Sequence, residues 1–126
     1  MSLKEIAMRL VDANKSGKID ELIANDYAED IVSVEAVAFN PELGAEVKGI
    51  EALRGKYAWW EQNMEMHSVG MEGPFIHGDD RFSVIFEADM TDKKSGERTQ
   101  SKEVAVYYVK NGKIVREEFY FDAAAF

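Results

Sequence analysis

Cysteine is absent from this chain of 126 residues, so neither a disulfide framework nor a thiolate metal site can form. Histidine is scarce as well, with only His67 and His77, and the carboxylates fall at no metal-ligand spacing. No metal is expected. Gly17, Gly44 and Gly49 are isolated, so there is no glycine-rich loop to cradle a phosphate. Nor is there a nucleophile elbow, or a helical serine with an obvious base. No cofactor is expected on these grounds. Long apolar runs are missing too, none approaching the roughly 20 residues that span a bilayer. The start, Met1-Ser2-Leu3-Lys4-Glu5, lacks the charged-then-apolar layout of a signal peptide, which makes the cytoplasm the expected location. Positive charge is in short supply: 15 Lys and Arg against 24 Asp and Glu give a net charge of −9. Such a field repels nucleic acid and anionic lipid, so neither is expected as a partner.

What is present fits one domain over residues 1–126, large enough to bury a core without staples. The patterning changes once, near residue 65, from helical to strand periodicity. Leu3, Ile6, Ala7, Leu10 and Val11 recur at i, i+3, i+4, i+7 and i+8, one apolar face of a helix. Gly17 is a plausible stop, and residues 18–27 restart a short helix with Ile19, Leu22 and Ile23 inward. Residues 30–37 are β-branched and read as a strand, and residues 39–48, with Pro41 and Gly44, as a loop. A third helix is expected over residues 49–64, where Ile50, Leu53, Tyr57, Trp60 and Met64 form a stripe. Strands follow at 65–72, 81–91, 98–110 and 113–121, punctuated by Gly73-Pro74, Gly78-Asp79-Asp80 and Lys94-Ser95-Gly96. The last two strands flank Asn111-Gly112, a strong hairpin signal because both residues tolerate positive φ. The expected fold class is α+β: a cystatin-like cone with three N-terminal helices packed on a strongly curved, mostly antiparallel sheet.

Several stretches carry a resemblance. They are Gly17-Lys18-Ile19-Asp20-Glu21-Leu22 and Tyr27-Ala28-Glu29-Asp30-Ile31-Val32, then Gly49-Ile50-Glu51-Ala52-Leu53-Arg54 and Asn111-Gly112-Lys113-Ile114-Val115-Arg116-Glu117-Glu118. With this element order the chain resembles the SnoaL-like branch of the nuclear-transport-factor-2-like superfamily, the fold also used by ketosteroid isomerase and scytalone dehydratase. The resemblance implies a cone-shaped pocket. It leaves function open, because the fold hosts isomerases, dehydratases, cyclases and non-catalytic modules. Laying Tyr27-Ala28-Glu29-Asp30 on the corresponding isomerase stretch puts Glu35 at the general-base position. The two oxyanion donors of those isomerases fall on Leu10 and Ala105, neither of which can donate. Losing one such donor typically costs around 10²–10³ in rate, so genuine steroid isomerisation is not expected. Tyr57 falls where the family has a supporting tyrosine.

Pattern alone adds further candidates. On the last strand Glu117, Phe119 and Phe121 alternate with Arg116, Glu118 and Tyr120, and the more apolar odd set is expected inward. The register of the preceding strand has two readings. A two-residue Asn-Gly turn puts Val104, Val106 and Tyr108 on the face of Glu117; a three-residue loop with Gly112 in a bulge puts Glu103, Ala105 and Tyr107 there. His67 shares a face with Val69 and Met71 and is expected to point inward, where its ring suits acid–base work. His77 belongs to a turn. Trp60 is expected in the core or the pocket wall, and Trp59 near the pocket mouth or at an interface.

Glu35, His67 and Glu117 are thus the catalytic candidates, with Tyr57, Trp60, Phe119 and Phe121 as the substrate-binding set. Each carboxylate has a plainer alternative: for Glu35 a solvated strand position or an ion pair with Arg54, and for Glu117 an ion pair at the sheet edge. The leading expectation is a pocket for a small, mostly apolar organic ligand, with cofactor-free isomerase-, dehydratase- or cyclase-type chemistry possible in it. The alternative is a non-catalytic carrier, sensor or interaction module, its cone plugged by Phe82, Phe86, Phe119 and Phe121. A homodimer through the outer sheet face is expected, because Ile85, Tyr120 and part of the 98–110 strand leave an apolar patch there.

Overall fold

The computed structural model describes residues 1–122. Three helices, α1 (Leu3–Ser16), α2 (Ile19–Asp26) and α3 (Ile50–Asn63), pack against one curled sheet of six strands. The strands are β1 (Tyr27–Val34), β2 (Glu46–Lys48), β3 (Met64–His77), β4 (Arg81–Asp92), β5 (Arg98–Lys110) and β6 (Lys113–Tyr120). Their order across the sheet is β2-β1-β6-β5-β4-β3. β1 runs parallel to β6, and the other neighbours are antiparallel. This is the α+β cone expected from the sequence.

Helix α1 opens with a capping box, in which Ser2 and Glu5 bond each other's backbone N–H, and it closes on left-handed Gly17 at φ 73°. Its apolar face, Ile6, Ala7, Leu10 and Val11, buries against Leu22 and Ile23 of α2 and against Phe82, Val84, Ala105 and Ile114 of the sheet. Arg9 clamps α1 to α2 by donating two hydrogen bonds, of 2.7 and 2.9 Å, to buried Asp26. Burying a carboxylate requires a partner of this kind.

Three expectations about elements need correction. β1 starts at Tyr27, so the strand begins three residues before the expected 30–37 segment and ends at Val34. The expected 39–48 loop contains β2, a three-residue strand paired with β1 and too short to show a period. Gly73-Pro74 does not end a strand. β3 runs through it by a register shift between Glu72 and Phe75 that leaves the pair outside the ladder, where proline needs no N–H partner.

The register question resolves through a bulge. Asn111 and Gly112, at φ 53° and 76°, form a two-residue turn with Lys110 opposite Lys113. Val109 then pairs with Ile114 but Tyr108 with Arg116, so Val115 is an extra residue. That step brings Tyr107 opposite Glu117, and Glu103, Ala105 and Tyr107 share the inner face with it. The turn is that of one reading and the face that of the other.

Candidate functional site

At the centre of the inner face lies Glu117, with no exposed surface at all. Three hydroxyls donate to its carboxylate: Tyr27 at 2.7 Å, Ser33 at 2.7 Å, and Tyr57 at 2.7 Å to one oxygen and 3.0 Å to the other. β1 supplies the first two donors because Tyr27 and Ser33 point inward beside β6; α3 lays Tyr57 across the top. Burial, and next the charge of Glu117, push the Tyr27 and Tyr57 hydroxyls well above the usual phenol range, so both stay protonated donors.

Lys56 is buried beside this group, only 5 % exposed. Its spacing explains why: Leu53, Lys56, Tyr57 and Trp60 fall on one helical stripe, and the lysine occupies a core-facing position in it. The ammonium donates to Ser33 Oγ at 2.7 Å, pairs with Glu35 Oε1 at 2.9 Å and sits 4.9 Å from the centre of the Phe119 ring. Ser33 therefore accepts from Lys56 while donating to Glu117, and the two buried carboxylates are tied to one cation. Burial lifts the Glu35 carboxyl above its ordinary value, with Lys56 pulling against it.

Next to this network the cone is open. One chamber of about 180 Å³ is lined by Glu35, Phe39, Tyr57, Trp60, Met66, Glu103 and Phe119 among others. A wider chamber of about 470 Å³ shares Tyr57, Trp60, Met66, Ala88, Glu103 and Phe119 with it and continues past Phe86 and Tyr107 to Asp20 and Glu61. Phe82 lies in the core beneath, stacked on Tyr107 at 5.1 Å, and does not line either chamber. A larger hollow of about 580 Å³ is an open polar trough on the strand side carrying Glu87, Asp89 and Lys102. The cone, by contrast, has aromatic walls that enclose space and buried groups whose titration is shifted, the marks of a functional site.

Glu103 is the notable group in the cone. It has no ion-pair partner among the described residues. Burial, and then the nearby charge of Glu35, push its carboxyl up to about 7, with Lys56 only partly opposing them. A carboxyl in that range exchanges a proton readily at neutral pH.

Of the residues singled out from sequence, Glu35, Tyr57, Trp60, Glu117 and Phe119 converge here. Glu117 faces inward but is sealed beneath Tyr57 rather than open to the chambers. Two expectations fail on placement. His67 is exposed on the outer face, with Nε2 at 2.7 Å from Thr91 Oγ1. Val69 and Met71 do face inward, but Met66 pairs with Met90 and Ser68 with Asp89, so His67 is the extra residue of a bulge and turns away. Phe121 lies beyond β6 against the Phe39 ring at 5.4 Å, and Phe39 in turn meets Trp60 at 4.9 Å; the chamber walls stop at Phe39. Arg54 is exposed, and Lys56 takes the place expected for it beside Glu35. Trp59 packs edge-on to Trp60 at 5.7 Å, outside both chambers. Sequence reasoning passed over Lys56, although a lysine inside an apolar helical stripe was a visible signal. It had Glu103 only as one branch of the register question. Among the described residues no group of side chains is arranged to hold a metal ion, and no helix is long and apolar enough to cross a membrane.

No protein of curated function matches the sequence. Among solved structures, a candidate SnoaL-like polyketide cyclase from Mesorhizobium loti, whose description also carries "carbohydrate phosphatase" in brackets, is 40% identical. The match covers 96% of this chain and 100% of that one with a TM-score of 0.87. An NTF2-like protein of unknown function from Burkholderia pseudomallei is 22% identical over 94% of this chain and 92% of its own, with a TM-score of 0.76. A candidate isomerase from Bacillus subtilis is 15% identical over 99% and 92%, with a TM-score of 0.77. The last two share the fold alone. The profile of the SnoaL-like domain matches residues 1–121. With that match over almost its whole length and a relative at 40% identity, the chain belongs to the SnoaL-like family.

Proposed function

We propose that the cone binds a small, largely apolar organic molecule and moves a proton on it, in chemistry of the isomerase, dehydratase or cyclase type. The observation that carries this reading is the pair of carboxyls lining one aromatic chamber, Glu35 held by Lys56 and Glu103 unpaired at a pKa of about 7. A base near neutrality can take a proton from a carbon beside a carbonyl and return it elsewhere, which side chains manage between them. Trp60, Tyr57 and Phe119 supply flat apolar walls for a planar substrate. The Mesorhizobium relative, by its description a candidate polyketide cyclase, accords with a ligand of this kind.

Hydrogen–deuterium exchange at the α-carbon of an aryl ketone such as 2-tetralone tests it by NMR. The protein should accelerate exchange above the buffer rate, and Glu103→Gln should lose roughly 10²-fold or more of that gain, the scale of a general base. A ketone that binds with no acceleration would reject catalysis and favour a carrier. That second reading has its own support: Leu10 and Ala105 are buried apolar groups, leaving no hydrogen-bond donor at those positions for a developing oxyanion.

A further inference from the structure

We infer that the ligand of the cone is an organic cation, an ammonium group carried on an aromatic or otherwise apolar body. The inference rests on the reading that the cone takes an organic ligand, and it adds the ligand's charge. Every ionic side chain lining the two chambers is a carboxylate: Glu35 and Glu103 inside, Asp20 and Glu61 at the wider end. Among the described residues no lysine, arginine or histidine lines either chamber. The nearest ammonium, on Lys56, is already committed to Glu35, Ser33 and the Phe119 ring.

An acidic chain exposes many carboxylates to water at little cost, but Glu103 is enclosed. Its ionised form has no ion-pair partner among the described residues and Lys56 offsets its charge only in part, a cost that a ligand cation would remove. The remaining walls suit the same guest. Tyr57, Trp60, Phe86, Tyr107 and Phe119 present aromatic rings, and ring faces attract ammonium groups that have shed their water. An anionic ligand meets lining carboxylates of its own sign, with the one adjacent ammonium already paired to Glu35, and is disfavoured.

Titration gives the inference a signature. The charged and titratable groups around Glu103 are Glu35 just after β1, Lys56 and Tyr57 from α3, and Tyr107 on its own strand, with Tyr27, Asp20 and Glu61 further along the wider chamber. Tyr107 is pushed well above the phenol range, chiefly by burial, and stays neutral. A cation must compete with the Glu103 proton, so cation affinity should rise as pH climbs through about 7.

Benzyltrimethylammonium, its neutral isostere neopentylbenzene and the anion phenylacetate are the probes, followed by tryptophan fluorescence at pH 5.5 and pH 8. The cation should bind at least about tenfold more tightly than the isostere at pH 8, and that preference should shrink severalfold at pH 5.5. Glu103→Gln should reduce the preference and flatten its pH dependence. If that variant fails to fold, the wild-type comparison of cation with isostere at two pH values decides alone. Equal or tighter binding of the isostere or of phenylacetate at pH 8 overturns the cation inference and leaves the pocket reading standing. Failure of all three to bind overturns both.

Discussion

Glu117 shows how much of this site is decided by single atoms. A carboxylate with no exposed surface is tolerable because three hydroxyls donate to it, and Lys56 supports one of those through Ser33. Glu103 is the counterexample, enclosed with no such partner, and its titration follows. A carboxyl lifted from 4.5 to about 7 on folding is favoured when protonated. Its contribution to stability is whole below pH 4.5 and is lost as pH rises through about 7. At 1.36 kcal/mol per pH unit the loss is about 3 kcal/mol by pH 8. Glu103→Gln, which stays neutral, should match wild type near pH 4.5 and exceed it by up to that amount at pH 8 in urea unfolding. A wild-type advantage at pH 8 would mean that Glu103 has a partner in the folded protein. Neither residue's role was fully legible beforehand. Alternation placed Glu117 inward, but its donors come from positions 27, 33 and 57, which no local pattern links. Lys56 was readable as a polar residue in an apolar stripe; that it would neutralise Glu35 depends on where β1 ends relative to α3.

At the level of elements, long periodic segments were legible and irregularities were not. The α1 stripe, the α3 stripe and the Asn111-Gly112 hairpin stand where the sequence placed them, because each is fixed by local spacing. Met64 marks the limit: counted into the helical stripe, it is the first residue of β3. The bulges at His67, at Gly73-Pro74 and at Val115 set which side chains face the cone, and a bulge leaves almost no local signature. One residue of slip sends a whole strand to the other face, which is why His67 lies outside and Glu103 inside. Gly73 is the bulge position with a steric signature. It sits at φ 119°, and an added Cβ would meet Ser83 O at 3.2 Å and the Phe75 backbone N at 3.3 Å. Gly73→Ala should therefore lower stability by about 1–3 kcal/mol, seen as a lower denaturant midpoint at unchanged slope. An unchanged midpoint would show that β3 can straighten here without loss.

At the scale of the whole molecule, nothing among the described residues covers one side of the sheet. The helices occupy the concave face, and opposite them Val104 is 38% exposed and Tyr120 52% exposed, beside Ile85, Val106 and Tyr108. Glu118 organises this surface by accepting from Tyr108, Tyr120 and Arg116, and the Arg81 guanidinium lies 4.9 Å from the centre of the Tyr108 ring. We propose that a second copy of the chain covers this face about a two-fold axis, since one patch can then meet itself. Charge would oppose pairing at −9 per chain. The outer face, however, is locally balanced: Arg98 pairs with Asp89, Lys102 with Glu87 and Arg116 with Glu118 within one chain. Paired within each copy, these groups leave a rim of low net charge around an apolar centre. Repulsion should then be long-range and screened by salt, so association should strengthen modestly between about 0.05 and 0.5 M salt. A stable interface should bury on the order of 1,600 Å² in total. Sedimentation should show a species of twice 14.2 kDa at micromolar concentration. Tyr120→Glu, placing a charge at the most exposed of these aromatics, should shift it to the single-chain mass with the fold intact by circular dichroism. A wild-type protein that sediments at 14.2 kDa throughout that range would rule out the dimer.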